Sequence, residues 1–192
     1  MAHFTIFGTG NMAKAIGGVL ADGGSAVDYI SSSQSGTAPI TGDTVVLAVP
    51  FGAVDAIIAA YSAQLAGKTV VDITNPVNFE TFDSLVVPTD SSATAQIQAK
   101  LPQSKVLKAF NTTFAATLVS KAVGGVPTTV QIAGDDDAAK ADLAAAVQAG
   151  GVQAVDAGSL SRARELEAFG FLQLTLAARE VIGWTGGFAI IK

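Results

Sequence analysis

The chain has 192 residues, a length that suits one domain with a sizeable core. Hydrophobic residues make up 49% and charged residues 14%, which excludes intrinsic disorder, and the net charge of −5 argues against a nucleic-acid partner bound through a basic surface. There is no cysteine, which excludes disulfides, cysteine-bound metals and cysteine nucleophiles. With His3 as the only histidine, a multi-histidine metal site and a Ser-His-Asp triad are not expected either.

The mean hydropathy of +0.47 is high, but the pattern does not suit a membrane segment. The most apolar stretch, residues 45–60, is interrupted by Pro50, Gly52 and Asp55 and is shorter than the roughly 20 apolar residues that cross a bilayer. The first residues show no basic region ahead of an apolar one, as a signal peptide would. We therefore expect no membrane partner and a cytoplasmic location.

Short apolar runs alternate with helical patterns along the chain. Strands are predicted at residues 4–7, 27–30, 44–49, 69–73, 106–110, 128–133 and 152–155. Apolar residues at helical spacing lie between most of these runs, and a long helix is predicted from residue 160 to about residue 182. This alternation predicts an α/β fold with a doubly wound, mostly parallel sheet. We expect one domain over residues 1–192, in which residues 159–192 form a C-terminal helix and tail that could dock onto a partner.

The turn between the first predicted strand and the first helix fits the pattern G-x-G-x-x-A: Gly8, Thr9, Gly10, Asn11, Met12 and Ala13. In a dinucleotide-binding turn, the first glycine permits the tight turn and the second lets the backbone approach a diphosphate. Backbone N–H groups at the start of the following helix then face the anion. A plain turn of small residues would look similar, but the position after the first strand favours dinucleotide binding.

The residues after the second predicted strand bear on the choice between NAD and NADP. NAD-binding chains usually carry a carboxylate there that binds the ribose 2′-hydroxyl. This chain has Ser31, Ser32 and Ser33 instead, and Asp28 lies two residues short of the end of the strand. The serine hydroxyls can donate hydrogen bonds to a 2′-phosphate, although no arginine is present to pair with its charge. We predict that NADP is the cofactor; a solvated serine-rich loop is the alternative.

Three further strand ends carry apolar and carboxamide side chains. Val49 and Pro50 end the third predicted strand, Asn75 and Pro76 follow the fourth, and Asn111 follows the fifth. Ligands of open α/β sheets bind outside the carboxyl ends of strands, so we expect these residues to border the nicotinamide. The alternative is that the prolines only end strands and that neighbouring phenylalanines belong to the core.

No proton donor is evident near these strand ends. His3 precedes the first strand and Lys108 lies inside the fifth, so we assign no residue to acid–base catalysis. Hydride transfer between two stacked rings needs close approach and exclusion of water more than it needs an acid. The pattern therefore favours an oxidoreductase with a flat second substrate. A dinucleotide-sensing module without turnover is the alternative.

The chain resembles the coenzyme F420-dependent NADP oxidoreductase family over nearly its whole length. The matching segments are the glycine turn, the strand end before Phe51, and residues 108–112, 133–137 and 156–160. The resemblance implies a Rossmann domain with a small C-terminal helical portion, often dimeric, so a homodimer is expected. It also implies that NADP lies at the glycine turn and at Ser31, where the arginine that follows in family members is replaced by Ser32.

The same resemblance implies where the second substrate binds. In family members the deazaflavin lies over the nicotinamide, near the end of the fifth strand and the C-terminal segment. Archaeal members carry histidine where this chain has Asn111. Because this position differs, the expected acceptor is F420, a flavin or another two-electron carrier.

Overall fold

The computed structural model describes residues 1–191, which form one large sheet and a small hairpin. The strands are β1 (His3–Phe7), β2 (Ala26–Ile30), β3 (Thr44–Leu47), β4 (Thr69–Asp72), β5 (Lys105–Lys108), β6 (Ala122–Val123), β7 (Val126–Pro127), β8 (Thr129–Gly134) and β9 (Gln153–Gly158). Seven of them pair in the order β2-β1-β3-β4-β5-β8-β9, and all neighbours are parallel except β5 and β8. The prediction of a doubly wound, mostly parallel sheet is confirmed.

Helices cover both faces of this sheet. They are α1 (Asn11–Asp22), α2 (Val54–Leu65), α3 (Ala93–Lys100), α4 (Ala115–Ser120), α5 (Asp137–Ala149) and α6 (Ala163–Ala178). Apolar side chains of α1 and α5 form one buried cluster with the sheet, and those of α2 and α3 form a second cluster on the other side. The central strands are therefore buried on both faces, as their continuous apolar runs predicted.

The chain reverses direction between β5 and β8, which the sequence pattern did not predict. After β5 the short α4 is followed by the β6–β7 hairpin around Gly124 and Gly125, and β8 then enters the sheet antiparallel to β5. A hairpin of two-residue strands has too few residues to show an alternating pattern, so only its two glycines signalled it.

The C-terminal helix is shorter than predicted. A single 3₁₀ turn, Leu160–Arg162, leads into α6, which ends at Ala178. Glu180 has a φ of 60°, in the left-handed region that does not continue a helix, so the prediction of a helix to about residue 182 is wrong. The following tail packs against α6 of its own chain, since the ring centroids of Phe169 and Phe188 lie 4.5 Å apart. The predicted tail ran to Lys192, which lies outside the described residues.

The sheet has its switch point between β1 and β3. The chain passes from β2 back across β1 to reach β3, so the connections on either side of this pair leave in opposite directions and open a crevice at the carboxyl ends. Among the helices formed by residues 1–191, none combines the length and apolarity needed to cross a bilayer.

Candidate functional site

The glycine turn joins β1 to α1 at the switch point. Gly8 has a φ of +111°, and a Cβ at this position would collide with the carbonyl oxygen of Ala48, which follows the neighbouring strand. Its N–H donates to the carbonyl oxygen of Ile30 at 2.9 Å. Only glycine fits both the backbone conformation and this close approach. Glycine is therefore required at the first position of the turn.

The N-terminus of α1 is open to a ligand. Gly10 occupies the N-cap position, so no side chain there accepts a hydrogen bond from the first turn of the helix. A Cβ at Gly10 would find no atom within 4 Å, so the space beside this residue is open. Unsatisfied N–H groups at a helix N-terminus form a site for an anion.

Two cavities lie on opposite sides of this turn. The first, which we call the serine-side cavity, has a volume of about 350 Å³ and is lined in part by Gly8, Thr9, Gly10, Ser31, Ser32, Ser35, Val49 and Pro50. The second, which we call the asparagine-side cavity, has a volume of about 430 Å³ and is lined by Asn11, Met12, Ile73, Asn75, Phe110, Asn111, Thr113, Phe114, Ala115, Ala116, Leu174 and Trp184. Both cavities thus adjoin the turn, the first at Gly8 to Gly10 and the second at Asn11 and Met12.

The serines after β2 form a compact polar turn. The Ser31 hydroxyl donates to Oε1 of Gln34 at 2.8 Å, and the Ser31 N–H donates to the same oxygen at 3.1 Å. The hydroxyl oxygens of Ser31 and Ser33 are 3.0 Å apart. Ser31 and Ser32 line the serine-side cavity, whereas Ser33 does not and instead contacts Ser31.

Asp28 is the carboxylate nearest to these serines in the sequence, but it is engaged elsewhere. The Thr41 hydroxyl donates to Oδ2 of Asp28 at 2.7 Å, and His3 Nε2 lies 2.5 Å from the same oxygen. The hydrogen bond from Thr41, followed by that from His3, holds the pKa of Asp28 below its ordinary value. The carboxylate is therefore committed to these two side chains, and the position usually occupied by a ribose-binding acid is filled by serine.

An asparagine pair joins the ends of β4 and β5 in the asparagine-side cavity. Nδ2 of Asn111 donates to Oδ1 of Asn75 at 2.9 Å, and Nδ2 of Asn75 donates back to the backbone carbonyl of Asn111 at 3.0 Å. Phe110, just before this pair, is buried with a φ of 63°, an uncommon conformation for a bulky residue. The chain turns sharply there, and Asn111 consequently faces Asn75 rather than continuing the strand.

Helix α6 holds the asparagine pair from one side. Nδ2 of Asn111 also donates to the carbonyl of Leu166 at 2.8 Å. Gly170, one turn further along α6, packs so closely that a Cβ there would lie 2.5 Å from Oδ1 of Asn75 and 2.9 Å from Nδ2 of Asn111. The glycine therefore allows the helix to reach the pair.

A buried ion cluster, which we did not predict from the sequence, lies next to this pair. Nζ of Lys108 lies 2.9 Å from Oδ2 of Asp72 and 3.0 Å from Oε1 of Glu167, and all three side chains are at most 1% exposed. The Lys108 ammonium also donates to the carbonyl of Thr74 at 2.5 Å. The cluster thereby ties α6 to β4 and β5, directly before the two asparagines.

Residues at the start of α3 donate hydrogen bonds to both carboxylates of the cluster. Oε2 of Glu167 accepts from the N–H of Ala93 at 2.9 Å, and the Thr94 hydroxyl donates to Asp72 at 2.7 Å. A signal for the cluster was present in the sequence, because Asp72 and Lys108 are charged residues inside strands covered on both faces. They are also direct neighbours in the β4–β5 register. Such residues need an opposite charge when buried.

The lining of the asparagine-side cavity carries no titratable side chain among the residues that the structure describes. Its walls include Phe110, Phe114 and Trp184, and the ring centroids of Phe114 and Trp184 lie 5.1 Å apart. Leu174 and Trp184 bring the C-terminal segment into this wall, and neither residue was predicted from the sequence. The arrangement suits a flat ring and offers no group for proton transfer.

The structure brings most of the expected site residues to these two cavities, with four exceptions, of which Ser33, described above, is the first. Val49 and Pro50 line the serine-side cavity rather than the cavity of the asparagines, where the nicotinamide was expected. Pro76 is buried and lines neither cavity; its carbonyl accepts from the N–H of Val86 at 2.7 Å. Pro76 therefore belongs to the loop that follows β4 and stabilises the backbone of that loop.

Comparisons with known proteins agree with this geometry. The family model described as "NADP oxidoreductase coenzyme F420-dependent" matches residues 28–76. The F420-dependent NADP reductase of Methanocaldococcus jannaschii is 33% identical over 131 residues, which cover 66% of this chain and 58% of that protein. This chain thus matches less than two thirds of the length of that relative.

Solved structures extend the similarity to the whole chain. A candidate F420-dependent NADP reductase from Arthrobacter sp. FB24 superposes with a TM-score of 0.85 at 26% identity, covering 100% of both chains. Pyrroline carboxylate reductase of Plasmodium falciparum, solved with NADP bound, has a TM-score of 0.55 at 12% identity and covers 81% of this chain and 57% of its own, which shows a shared fold. The resemblance seen in the sequence is confirmed: this chain is a relative of the coenzyme F420-dependent NADP oxidoreductases.

Proposed function

We propose that the protein is an NADP-dependent oxidoreductase that transfers a hydride between the nicotinamide and a flat, flavin-like or F420-like ring. The observation that carries this proposal is the position of the two cavities on either side of an uncapped helix N-terminus. A dinucleotide laid across the turn would place its adenosine half with the serines and its nicotinamide half with the asparagines. The names of the archaeal and Arthrobacter relatives support the same activity.

The chain's residues fit the cofactor by their chemistry. The N–H groups at the start of α1 would hold the diphosphate, and the open space in front of Gly10 leaves room for it. Ser32 would donate to the 2′-phosphate, and Ser31 would do so by exchanging its hydrogen bond to Gln34 for one to the phosphate. Asn75 and Asn111 line the cavity that the nicotinamide would enter.

The mechanism that follows is one of positioning. When bound, the nicotinamide supplies the hydride. The asparagine pair orients the ring, and the aromatic walls of Phe114 and Trp184 hold a second ring close to it while excluding water. The absence of a titratable group among the described lining residues is compatible with transfer between two rings, because such a step needs no proton at an alcohol or ketone oxygen.

The proposed function is tested by mixing the protein with NADPH and then with F420, FMN or FAD. We expect NADPH fluorescence to change on binding and NADPH to be consumed when one of these acceptors is added. NADH under the same conditions serves as the comparison. If NADPH binds but none of the three acceptors is ever reduced, a dinucleotide-sensing module would explain the site better, since that function needs only the turn and the serine-side cavity.

The serine turn is expected to select NADPH over NADH. Replacing Ser31, Ser32 and Ser33 with alanine should raise the dissociation constant of NADPH by at least about tenfold, because even one hydrogen bond to a charged phosphate is worth roughly 1.5–3 kcal/mol. The dissociation constant of NADH should change less than about threefold. Titration calorimetry of both cofactors measures the difference.

The control for this variant is Ser161→Ala, an exposed serine near the start of α6. It should leave the affinity for both cofactors unchanged. An equal loss of NADPH and NADH affinity in the triple variant would argue against 2′-phosphate recognition by these serines.

We further propose that residues 1–192 act as one Rossmann-like domain, with residues 159–192 as its C-terminal helix and tail. A homodimer and a cytoplasmic location stay predictions. Light scattering of the purified protein would measure its mass in solution and decide between one and two copies.

A further inference from the structure

The buried ion cluster of Asp72, Lys108 and Glu167 holds more negative than positive charge. Its two carboxylates share the single ammonium of Lys108, which lies 2.9 Å from Asp72 and 3.0 Å from Glu167. Within residues 1–191, the structure gives neither carboxylate a second cationic partner. All three side chains are shielded from water, so the cluster carries an excess of one negative charge in the interior of the protein.

The hydrogen bonds of both carboxyl groups suit the charged form. Oδ1 of Asp72 accepts from the N–H of Thr74 at 2.8 Å, and Oδ2 accepts from the Thr94 hydroxyl at 2.7 Å. Oε1 of Glu167 accepts from Lys108 at 3.0 Å, and Oε2 accepts from the first N–H group of α3 at 2.9 Å. Each of the four oxygens therefore faces a donor, as carboxylates require. The start of α3 adds a partial positive charge of about half a unit, which offsets only part of the excess.

The cluster lies close to the asparagine-side cavity. Asp72 directly precedes Ile73, and Lys108 lies two residues before Phe110. Both Ile73 and Phe110 line the cavity. Consecutive Cα atoms are about 3.8 Å apart, which puts the cluster on the order of 10 Å from a ring held in this cavity. A charge at that distance acts on the ring through the protein interior, where screening by water is weak.

We propose that the excess negative charge of this cluster stabilises the oxidised nicotinamide more than the reduced one, and so favours NADPH as the hydride donor. This inference rests on the proposed function. When the hydride passes to the acceptor ring with both its electrons, the neutral dihydronicotinamide becomes a pyridinium cation. A fixed negative charge attracts that cation and is in place before the reaction begins.

The test compares the affinities for NADP⁺ and NADPH by titration calorimetry, with no acceptor ring present. Two unit charges about 10 Å apart, at an effective dielectric constant of about 20, change an equilibrium constant by about tenfold. We therefore expect the unmodified protein to bind NADP⁺ about three- to tenfold more tightly than NADPH, where the lower value allows for the partial charge of α3.

Two variants each remove one negative charge with little change of shape. In Asp72→Asn, the new amide can donate to the Thr94 hydroxyl, whose hydrogen then turns to Oε1 of Glu167 at 3.2 Å. Glu167→Gln removes the same charge from the other carboxylate. In both variants the affinities for NADP⁺ and NADPH should come within about twofold of each other, because the excess charge is gone.

The matched control is Asp22→Asn at the far end of α1. Asp22 is also bound to one lysine, but its side chain is 61% exposed. This variant removes the same charge from the protein and should keep the preference for NADP⁺, since water screens the exposed carboxylate. Adenosine 2′,5′-bisphosphate, which carries the adenosine half alone, should bind to all four proteins within about twofold and so reports that the rest of the site is intact.

Each outcome decides the inference. Equal or parallel loss of NADP⁺ and NADPH affinity in Asp72→Asn and Glu167→Gln, with the preference kept, would show that the cluster acts only as a structural tie. Tighter binding of NADPH than of NADP⁺ by the unmodified protein would also overturn the inference and leave the proposed function intact, and this comparison needs no variant that could misfold. Binding of neither cofactor by the unmodified protein would overturn the proposed function and the inference with it.

Discussion

Replacing Gly10 with valine is expected to abolish NADPH binding while leaving the protein folded. Gly10 has a φ of −75° and a ψ of −177°, an extended conformation that a β-branched residue adopts readily, and no atom lies within 4 Å of the position of its Cβ. The valine side chain would instead occupy the space in front of the helix N-terminus where the diphosphate is proposed to lie. We expect the dissociation constant of NADPH to rise at least about 100-fold, because the backbone can no longer approach the anion.

The stability of this variant makes the prediction specific. The free energy of unfolding in urea should change by less than about 1 kcal/mol, as for most exposed substitutions. Gly18→Val is the matched control, because Gly18 lies on the exposed side of the same helix and its Cβ would also meet no atom within 4 Å. It should retain full NADPH affinity. A Gly10→Val protein that is folded and binds NADPH normally would refute the placement of the diphosphate.

Replacing Lys108 with methionine is expected to cause the largest loss of stability. The change keeps a long side chain but leaves the carboxylates of Asp72 and Glu167 buried without their shared cation. Removing one partner of a buried ion pair costs about 3–5 kcal/mol. That is a large fraction of the stability of a typical domain, so the midpoint of urea unfolding should fall sharply or the variant should fail to fold.

The control for this prediction is Lys100→Met at the end of α3. Lys100 pairs with Asp55 at 2.5 Å, but the two side chains are 45% and 72% exposed. An exposed ion pair contributes about 0–1 kcal/mol, so this variant should unfold close to the unmodified protein. If the two lysine variants lost equal stability, the buried cluster could not be what holds α6 against the sheet.

The parts of the site that the sequence predicted are those with a local signal. The glycine turn was found because its residues are adjacent in the chain and their spacing is specific. Asn75 and Asn111 were found because each follows a strongly apolar strand, and parallel strands bring their carboxyl ends to one edge. The structure adds that these two side chains bond to each other, which depends on the turn at Phe110.

The parts that were missed depend on contacts between distant segments. Glu167 reaches Lys108 across 59 residues of sequence, and Trp184 packs against Phe114 across a similar span. Neither contact has a periodicity that a sequence pattern can reveal. Val49 and Pro50 were correctly placed at a strand end, but the sequence could not show on which side of the glycine turn they would lie.

The placement of the cofactor is decided by a crystal structure of the protein grown with excess NADPH. We expect the diphosphate against the backbone N–H groups that begin α1, the 2′-phosphate beside Ser31 and Ser32, and the nicotinamide in the cavity of Asn75 and Asn111. A complex in which the turn is vacant, or in which the nicotinamide lies with the serines and the adenosine with the asparagines, would contradict it.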